Sequence, residues 1–192
     1  MSAQIEFFFD IGSPYSYLAA TQLDALGQRL GTPIWWRPFL LGGVFKAVGN
    51  QPPAMLPARG RYMLRDLNRW AARYQVSFSF PSTFPLNTLL PMRALTALEP
   101  DRCSQAALTL FNAYWVDDQD LTRPDVIADL IGEEAVRMAV DPDTKALLRA
   151  TTDDAIERGA FGAPTIFVGD EMFFGNDRLD FVEALMAAQA ST

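Results

Sequence analysis

The chain opens with a strand-to-helix corner that leaves few folds open to it. The apolar run Ile5-Glu6-Phe7-Phe8-Phe9-Asp10 reads as a buried strand, and Ser13-Pro14-Tyr15-Ser16 follows as a helix start. Serine is a preferred N-cap, and proline fits the first helical position. Tyr15, Leu18, Leu23, Leu26 and Leu30 give that helix a broad apolar face, and Gly31 suits its end. Ile34-Trp35-Trp36-Arg37-Pro38 reads as a second strand. Two strands joined by such a helix form a parallel pair with a right-handed crossover.

Strand signal then lapses. Leu40 to Pro57 is rich in Gly and Pro and reads as a loop system with room for one short helix. Helical patterns follow at about 60–75, 88–98, 102–116, 123–130, 132–138 and 143–158. In the first of these, Met63, Leu67, Trp70 and Tyr74 share one face, while Arg61, Arg65, Arg69 and Arg73 form a stripe that reads as a solvated face. Strand signal returns in Pro164-Thr165-Ile166-Phe167-Val168 and Glu171-Met172-Phe173-Phe174, which flank Gly169-Asp170 at the spacing of a two-residue hairpin turn. A last helix is expected at about 178–189, beginning near Asn176-Asp177. The order is β-α-β, a helical stretch, then β-β-α. This is an α/β chain with a thioredoxin-like fold and an inserted all-helical lobe. Residues 1–45 and 159–192 are assigned to the thioredoxin-like domain and 46–158 to the inserted helical domain.

Composition narrows the chemistry. The 192 residues are 49% hydrophobic and include 14 Phe, enough for a sizeable core. A net charge of −7 argues against nucleic acid or an anionic membrane as partner. The start of the chain does not read as a signal peptide, and no stretch approaches the ~20 apolar residues of a membrane span. Cys103 is the single cysteine, so no intrachain disulfide can form, and a reducing cytoplasm is expected. Within its helix Cys103 reads as core or surface rather than site. There is no histidine, which removes Ser-His-Asp and Cys-His catalysis and histidine metal sites; no metal is expected.

A thioredoxin-fold oxidoreductase carries Cys-x-x-Cys at the corner where this chain has Ser13 and Ser16. A helix N-terminus offers free N–H groups and a positive dipole end, which favour a thiolate. With no thiol of its own there, the chain needs a thiolate brought by a ligand, and glutathione is the candidate. Ser13 has two readings, a plain N-cap or an N-cap that also donates a hydrogen bond to that thiolate. In Gly162-Ala163-Pro164-Thr165, Pro164 reads either as an ordinary turn or as a cis proline beside the corner. In the second reading Ala163 turns its backbone toward the cysteinyl part of a bound peptide. Phe174-Gly175-Asn176-Asp177-Arg178 reads either as a capped helix start or as a set of N–H groups that hold a carboxylate. Asp177 could also accept from a γ-glutamyl amino group. Arg59 is a candidate partner for an anionic group and is placed in the loop before the arginine stripe.

Four segments, in order along essentially the whole chain, resemble the 2-hydroxychromene-2-carboxylate isomerase and kappa-class glutathione transferase family, which has a DsbA-like thioredoxin fold. They are Phe8 to Leu18, Gly49-Asn50-Gln51-Pro52-Pro53-Ala54, Gly159 to Thr165, and Glu171 to Leu179. The resemblance implies a glutathione cofactor with its thiolate at Ser13. Asn50 would line the glutathione site and Ala163 would stand where the family has Val or Leu. Asn176 and Asp177, with Gly175 and Arg178, would hold the γ-glutamyl end. The second segment is closer to the transferases and the fourth to the isomerases. The isomerase branch has a substrate-contacting lysine in the loop that here holds Phe45, with Lys46 adjacent. The implied activity is glutathione-dependent isomerisation of a small aromatic substrate; a kappa-type transferase or peroxidase is the alternative, and a redox-inactive peptide-binding module a further one. A homodimer is compatible with the resemblance.

Overall fold

The computed structural model describes residues 4–52 and 56–190. Pro53 and Ala54 of the second family segment lie outside the described residues. Strand β1 (Ile5–Phe9) leads into helix α1 (Pro14–Leu30), which returns the chain to β2 (Ile34–Pro38). β1 and β2 pair in parallel with Ile5 opposite Ile34. Helices α2 (Leu41–Val48), α3 (Pro57–Tyr74), α4 (Leu89–Thr96), α5 (Pro100–Trp115), α6 (Pro124–Ile131), α7 (Glu133–Met138) and α8 (Pro142–Glu157) follow. The chain then re-enters the sheet as β3 (Thr165–Val168) and β4 (Glu171–Phe174), and ends in a 3-10 turn (Asn176–Arg178) and α9 (Leu179–Ala190). The sheet order is β2-β1-β3-β4, with β3 antiparallel to both its neighbours. This is a thioredoxin-like α/β sheet with helices on both faces.

Helices cover both faces of β1, which explains its unbroken apolar run. Ile5, Phe7 and Phe9 point into the large core that also holds residues of α1, α3 and α5; Phe8 points the other way, into a smaller cluster with Phe39, Ala155 and Phe167. Phe7, Phe8 and Phe9 are fully buried, each stabilising the fold by roughly 1.5–3 kcal/mol. Glu6 shares the Phe8 face and is held by Arg37 and Arg158, both at 2.8 Å. The strand stops one residue short of the sequence reading, because Asp10 turns its side chain to the corner instead of joining the ladder.

Proline sets the helix starts. α1, α3, α5, α6 and α8 all carry Pro in their first turn, where its missing N–H costs nothing and its fixed φ is already helical. For α3 and α5 this moves the start two or three residues ahead of the apolar periodicity. Arg59 therefore sits in the first turn of α3, not in a loop before it. Ser13 caps α1, its Oγ accepting from Ser16 N at 3.2 Å, and Gly31 ends that helix with φ +58°. Gly169 and Asp170 form the two-residue connection between β3 and β4.

Candidate active site

The corner is tied down from below by one buried carboxylate. Asp10 Oδ1 accepts from Gly12 N at 2.8 Å; Oδ2 accepts from Leu41 N at 2.9 Å and from Thr88 Oγ1 at 3.1 Å. Asp10 thereby joins the β1–α1 corner, the start of α2 and the residue before α4. It is 1% exposed, and burial pushes its pKa above the ordinary carboxylate value, with the three hydrogen bonds pulling the other way. Trp115 Nε1 donates to Ile11 O at 2.8 Å and fixes the next residue along. Gly12 must lack a side chain here, since a Cβ would come within 2.9 Å of Thr88 Cγ2. Sequence reasoning missed Asp10; an acid closing an apolar strand just before a glycine was the available signal.

Above this brace Ser13 lines a cleft of about 530 Å3. Its hydroxyl donates to Ala163 O at 3.0 Å while its oxygen accepts from Ser16 N. The Ala163–Pro164 peptide bond is cis, and Ala163 lies on the cleft wall with Pro164 buried behind it. Gly162 lets the wall close up, because a Cβ there would stand 2.7 Å from the Phe174 ring. Phe174 in turn packs on Phe161 with ring centroids 4.5 Å apart. Ser16 is fully buried, and among the described residues its Oγ has no hydrogen-bond partner.

The cleft brings together Ser13, Asn50, Ala163, Gly175, Asn176, Asp177 and Arg178. Asn50 closes one end, its Nδ2 donating to Phe161 O at 3.2 Å and its Oδ1 accepting from Gln51 N at 2.8 Å. At the other end Gly175 has φ +106°, a backbone conformation that strains any residue with a Cβ and so favours glycine. Asp177 pairs with Arg178. The Asn176 side chain is buried, 2% exposed, and its backbone carbonyl accepts from Tyr74 OH at 2.7 Å. Asn176 thus ties the 3-10 turn to α3, while the carboxylate of Asp177 stands free of any side-chain cap on that turn.

Residues beyond the sequence reading complete the walls. Tyr15 reaches across to α3 and donates to Asp66 Oδ2 at 3.0 Å; burial, then Asp66, push its phenol far above its ordinary pKa. Phe45, Met63, Trp70, Phe84 and Phe161 give the cleft an apolar side, and Arg59 supplies a cation at its edge. These contacts join residues up to 150 positions apart, which local periodicity does not encode. Lys46 is not among the lining residues: it opens on a different cavity, on the other side of α2. The arginines of the α3 stripe are exposed, as their spacing implied. Cys103 is buried in α5, well away from this wall, and burial pushes its thiol up to about 12.

Residues 4–187 match the family model of the DSBA-like thioredoxin domain, and the chain belongs to that family. It is 34% identical over 195 residues to the 2-hydroxychromene-2-carboxylate isomerase of Sphingobium xenophagum, covering 97% of this chain and 99% of that one. It is 32% identical over 203 residues to glutathione S-transferase kappa 1 of Rattus norvegicus, covering 95% and 90%. A solved structure of a 2-hydroxychromene-2-carboxylate isomerase superposes with a TM-score of 0.87 at 29% identity, over 97% of this chain and 95% of that one. Both named relatives are enzymes, and this chain is an enzyme of their family. Among the described residues no helix is long and apolar enough to cross a membrane.

Proposed function

We propose that this enzyme binds glutathione as the thiolate in the cleft and uses it to isomerise a small aromatic substrate of the hydroxychromene-carboxylate kind. The observation that carries this reading is the Ser13 hydroxyl at the N-terminus of α1, facing a cleft that no thiol of the chain reaches. The residues present fit a γ-glutamyl tripeptide. Asp177 offers a carboxylate to an amino group at one end, the Ala163 backbone stands at the middle, and Arg59 and Asn50 offer donors to a carboxylate at the other. Bound there, glutathione would supply a thiolate nucleophile toward a conjugated carbon of the substrate and would not be consumed.

Every other part is played by the chain. Ser13 Oγ is held in place by the Ser16 N–H, and its proton can swing from the Ala163 carbonyl to an incoming sulfur without moving the oxygen. A hydrogen bond to a charged acceptor contributes about 1.5–3 kcal/mol, and the dipole of the 17-residue α1 adds about 0.3–1 kcal/mol at the same end. Both lower the thiol pKa, since both favour the charged form. The aromatic side, Phe45, Phe161 and Phe174 included, excludes water and receives a flat apolar ring. We read residues 1–45 and 159–192 as the thioredoxin-like unit that carries the thiolate corner, with 46–158 supplying the opposite wall. The cytoplasm is the compartment assigned, in keeping with a single buried cysteine.

One observation favours conjugation as a second reading. Phe45 lines the cleft while Lys46 faces away from it, so the position of the isomerase-branch lysine presents a ring rather than a cation. A neutral aromatic electrophile suits that wall better than an anionic one. The test is a side-by-side assay with glutathione, measuring isomerisation of a hydroxychromene carboxylate and conjugation of a neutral aromatic halide. Isomerisation as the faster reaction supports the first reading; conjugation alone replaces it with the second. No glutathione binding and no turnover would leave a peptide-binding module.

A further inference from the structure

Helix α2 is a wall shared by two cavities. Leu41 and Phe45 face the cleft just described; Gly43, Lys46 and Ala47 face a second cavity of about 610 Å3 on the other side. Leu40, Leu89, Leu148 and Ile156 give that second cavity an apolar lining. Lys46, Arg93, Lys145 and Arg149 stand around it, from α2, α4 and α8. Lys46 and Lys145 are the only lysines of the sequence.

These cations are poorly compensated. Asp153 is the one carboxylate in the lining, and its pair with Arg149 spans 3.6 Å between side chains 56% and 84% exposed, a geometry of little strength. Among the described residues Lys46, Arg93 and Lys145 have no ion pair, although Arg93 is half-buried. Elsewhere in the molecule the half-buried guanidiniums are matched: Arg37 and Arg158 both close on Glu6 at 2.8 Å. A guanidinium partly removed from water without a partner carries an uncompensated desolvation cost. In a chain of net charge −7, four cations facing one hollow with a single weakly paired acid form a local positive field.

We propose that this second cavity binds a small amphipathic anion: an apolar body on the Leu and Ile lining, with one carboxylate, sulfonate or phosphate held by Lys46, Arg93 and Lys145. The volume lies within the ~300–1,000 Å3 range of small-molecule sites, and an apolar lining with a few convergent charges is their common composition. The site is separate from the glutathione cleft and stands whether or not that reading holds.

The experiment uses the whole protein and two fluorescent probes of similar shape, anionic 8-anilinonaphthalene-1-sulfonate and neutral N-phenyl-1-naphthylamine. The expected result is saturable binding of the anionic probe that weakens at least about tenfold in the double variant Lys46→Glu with Lys145→Glu. The neutral probe should change less than about twofold, and Phe161→Ala, on the cleft side, should leave the anionic probe unaffected. The neutralising pair Lys46→Ala with Lys145→Ala should weaken the anionic probe in the same direction, and it replaces the charge reversal should that variant fail to fold. No saturable binding, equal affinity in the lysine variants, or loss in Phe161→Ala instead would overturn the assignment.

Discussion

The Ser13 hydroxyl donates to the Ala163 carbonyl at 3.0 Å, joining two residues 150 positions apart at the centre of the cleft. One proton thus serves the fold here and, in the proposed glutathione complex, would turn to the sulfur. For Ser13→Ala the fold should lose about 1 kcal/mol for the cap and about 1 kcal/mol for the Ala163 bond, less than a typical domain's stability. The rate should fall roughly 10- to 150-fold, from the lost 1.5–3 kcal/mol at the thiolate. The thiol pKa of bound glutathione, followed by its ultraviolet absorbance, should rise. A rate and pKa equal to wild type would remove Ser13 from the chemistry.

Asp10→Asn tests the brace under the corner. Both carboxylate oxygens accept, from Gly12 N on one side and from Leu41 N and Thr88 Oγ1 on the other. Asparagine keeps one oxygen and turns an NH2 toward the remaining donors. An orphaned buried donor costs about 1–3 kcal/mol, so the urea midpoint should fall, and kcat should fall with it because Ser13 loses its footing. A midpoint unchanged from wild type would show that the brace carries no load.

Asp177→Asn separates binding from chemistry. Asp177 lines the end of the cleft opposite Asn50, and in the proposed complex it would make the same contact with the γ-glutamyl end before and during reaction. Its loss should raise KM for glutathione and spare kcat at saturation. Since no side-chain cap depends on it, the melting temperature should barely move. KM equal to wild type would end its role in the site.

The Cys103 thiol gives a pH dependence of known sign. Burial raises its folded pKa from 9.0 to about 12. Below pH 9 both folded and unfolded chains keep the proton, and its contribution to stability is intact. Between pH 9 and about 12 only the unfolded chain ionises, so stability is lost as pH rises. At pH 10 this loss is about 1.4 kcal/mol. In Cys103→Ala that part of the alkaline decline should vanish, which denaturant titrations at pH 8 and pH 10 would measure. An identical decline in both proteins would contradict the burial argument.

Local signals carried the outline of this fold well. The Ser13 cap, the Gly31 stop, the two-residue Gly169-Asp170 turn and the 3- and 4-residue apolar steps of α3 all act within a few positions, so they can be read in a line. Of the seven cleft-lining residues, Ser13, Ala163 and Gly175 to Arg178 stood out at turns and helix tips for the same reason, whereas Asn50 was named only through the family resemblance. What stayed hidden depends on distant partners. Asp10 gains its meaning from Leu41 and Thr88, Tyr15 from Asp66, and Gly162 from the Phe174 ring. Whether Phe45 or Lys46 faced the cleft turned on the phase of α2, a short helix that the Gly-Pro segment left room for without fixing its start.

The central position of β1 shapes how the molecule comes to exist during synthesis. One edge of β1 finds β2 within a few dozen residues, but the other pairs with β3, with Ile5 opposite Val168. At roughly 5–20 residues per second on the ribosome, that edge waits on the order of ten seconds for its partner. The helices between can form in microseconds, long before the sheet is whole. A nascent chain is therefore mostly helix with one unsatisfied strand edge, the kind of surface that pairs with the wrong chain. Because Ala163 arrives with the same late segment, no functional cleft exists until the last fifth of the polypeptide has emerged.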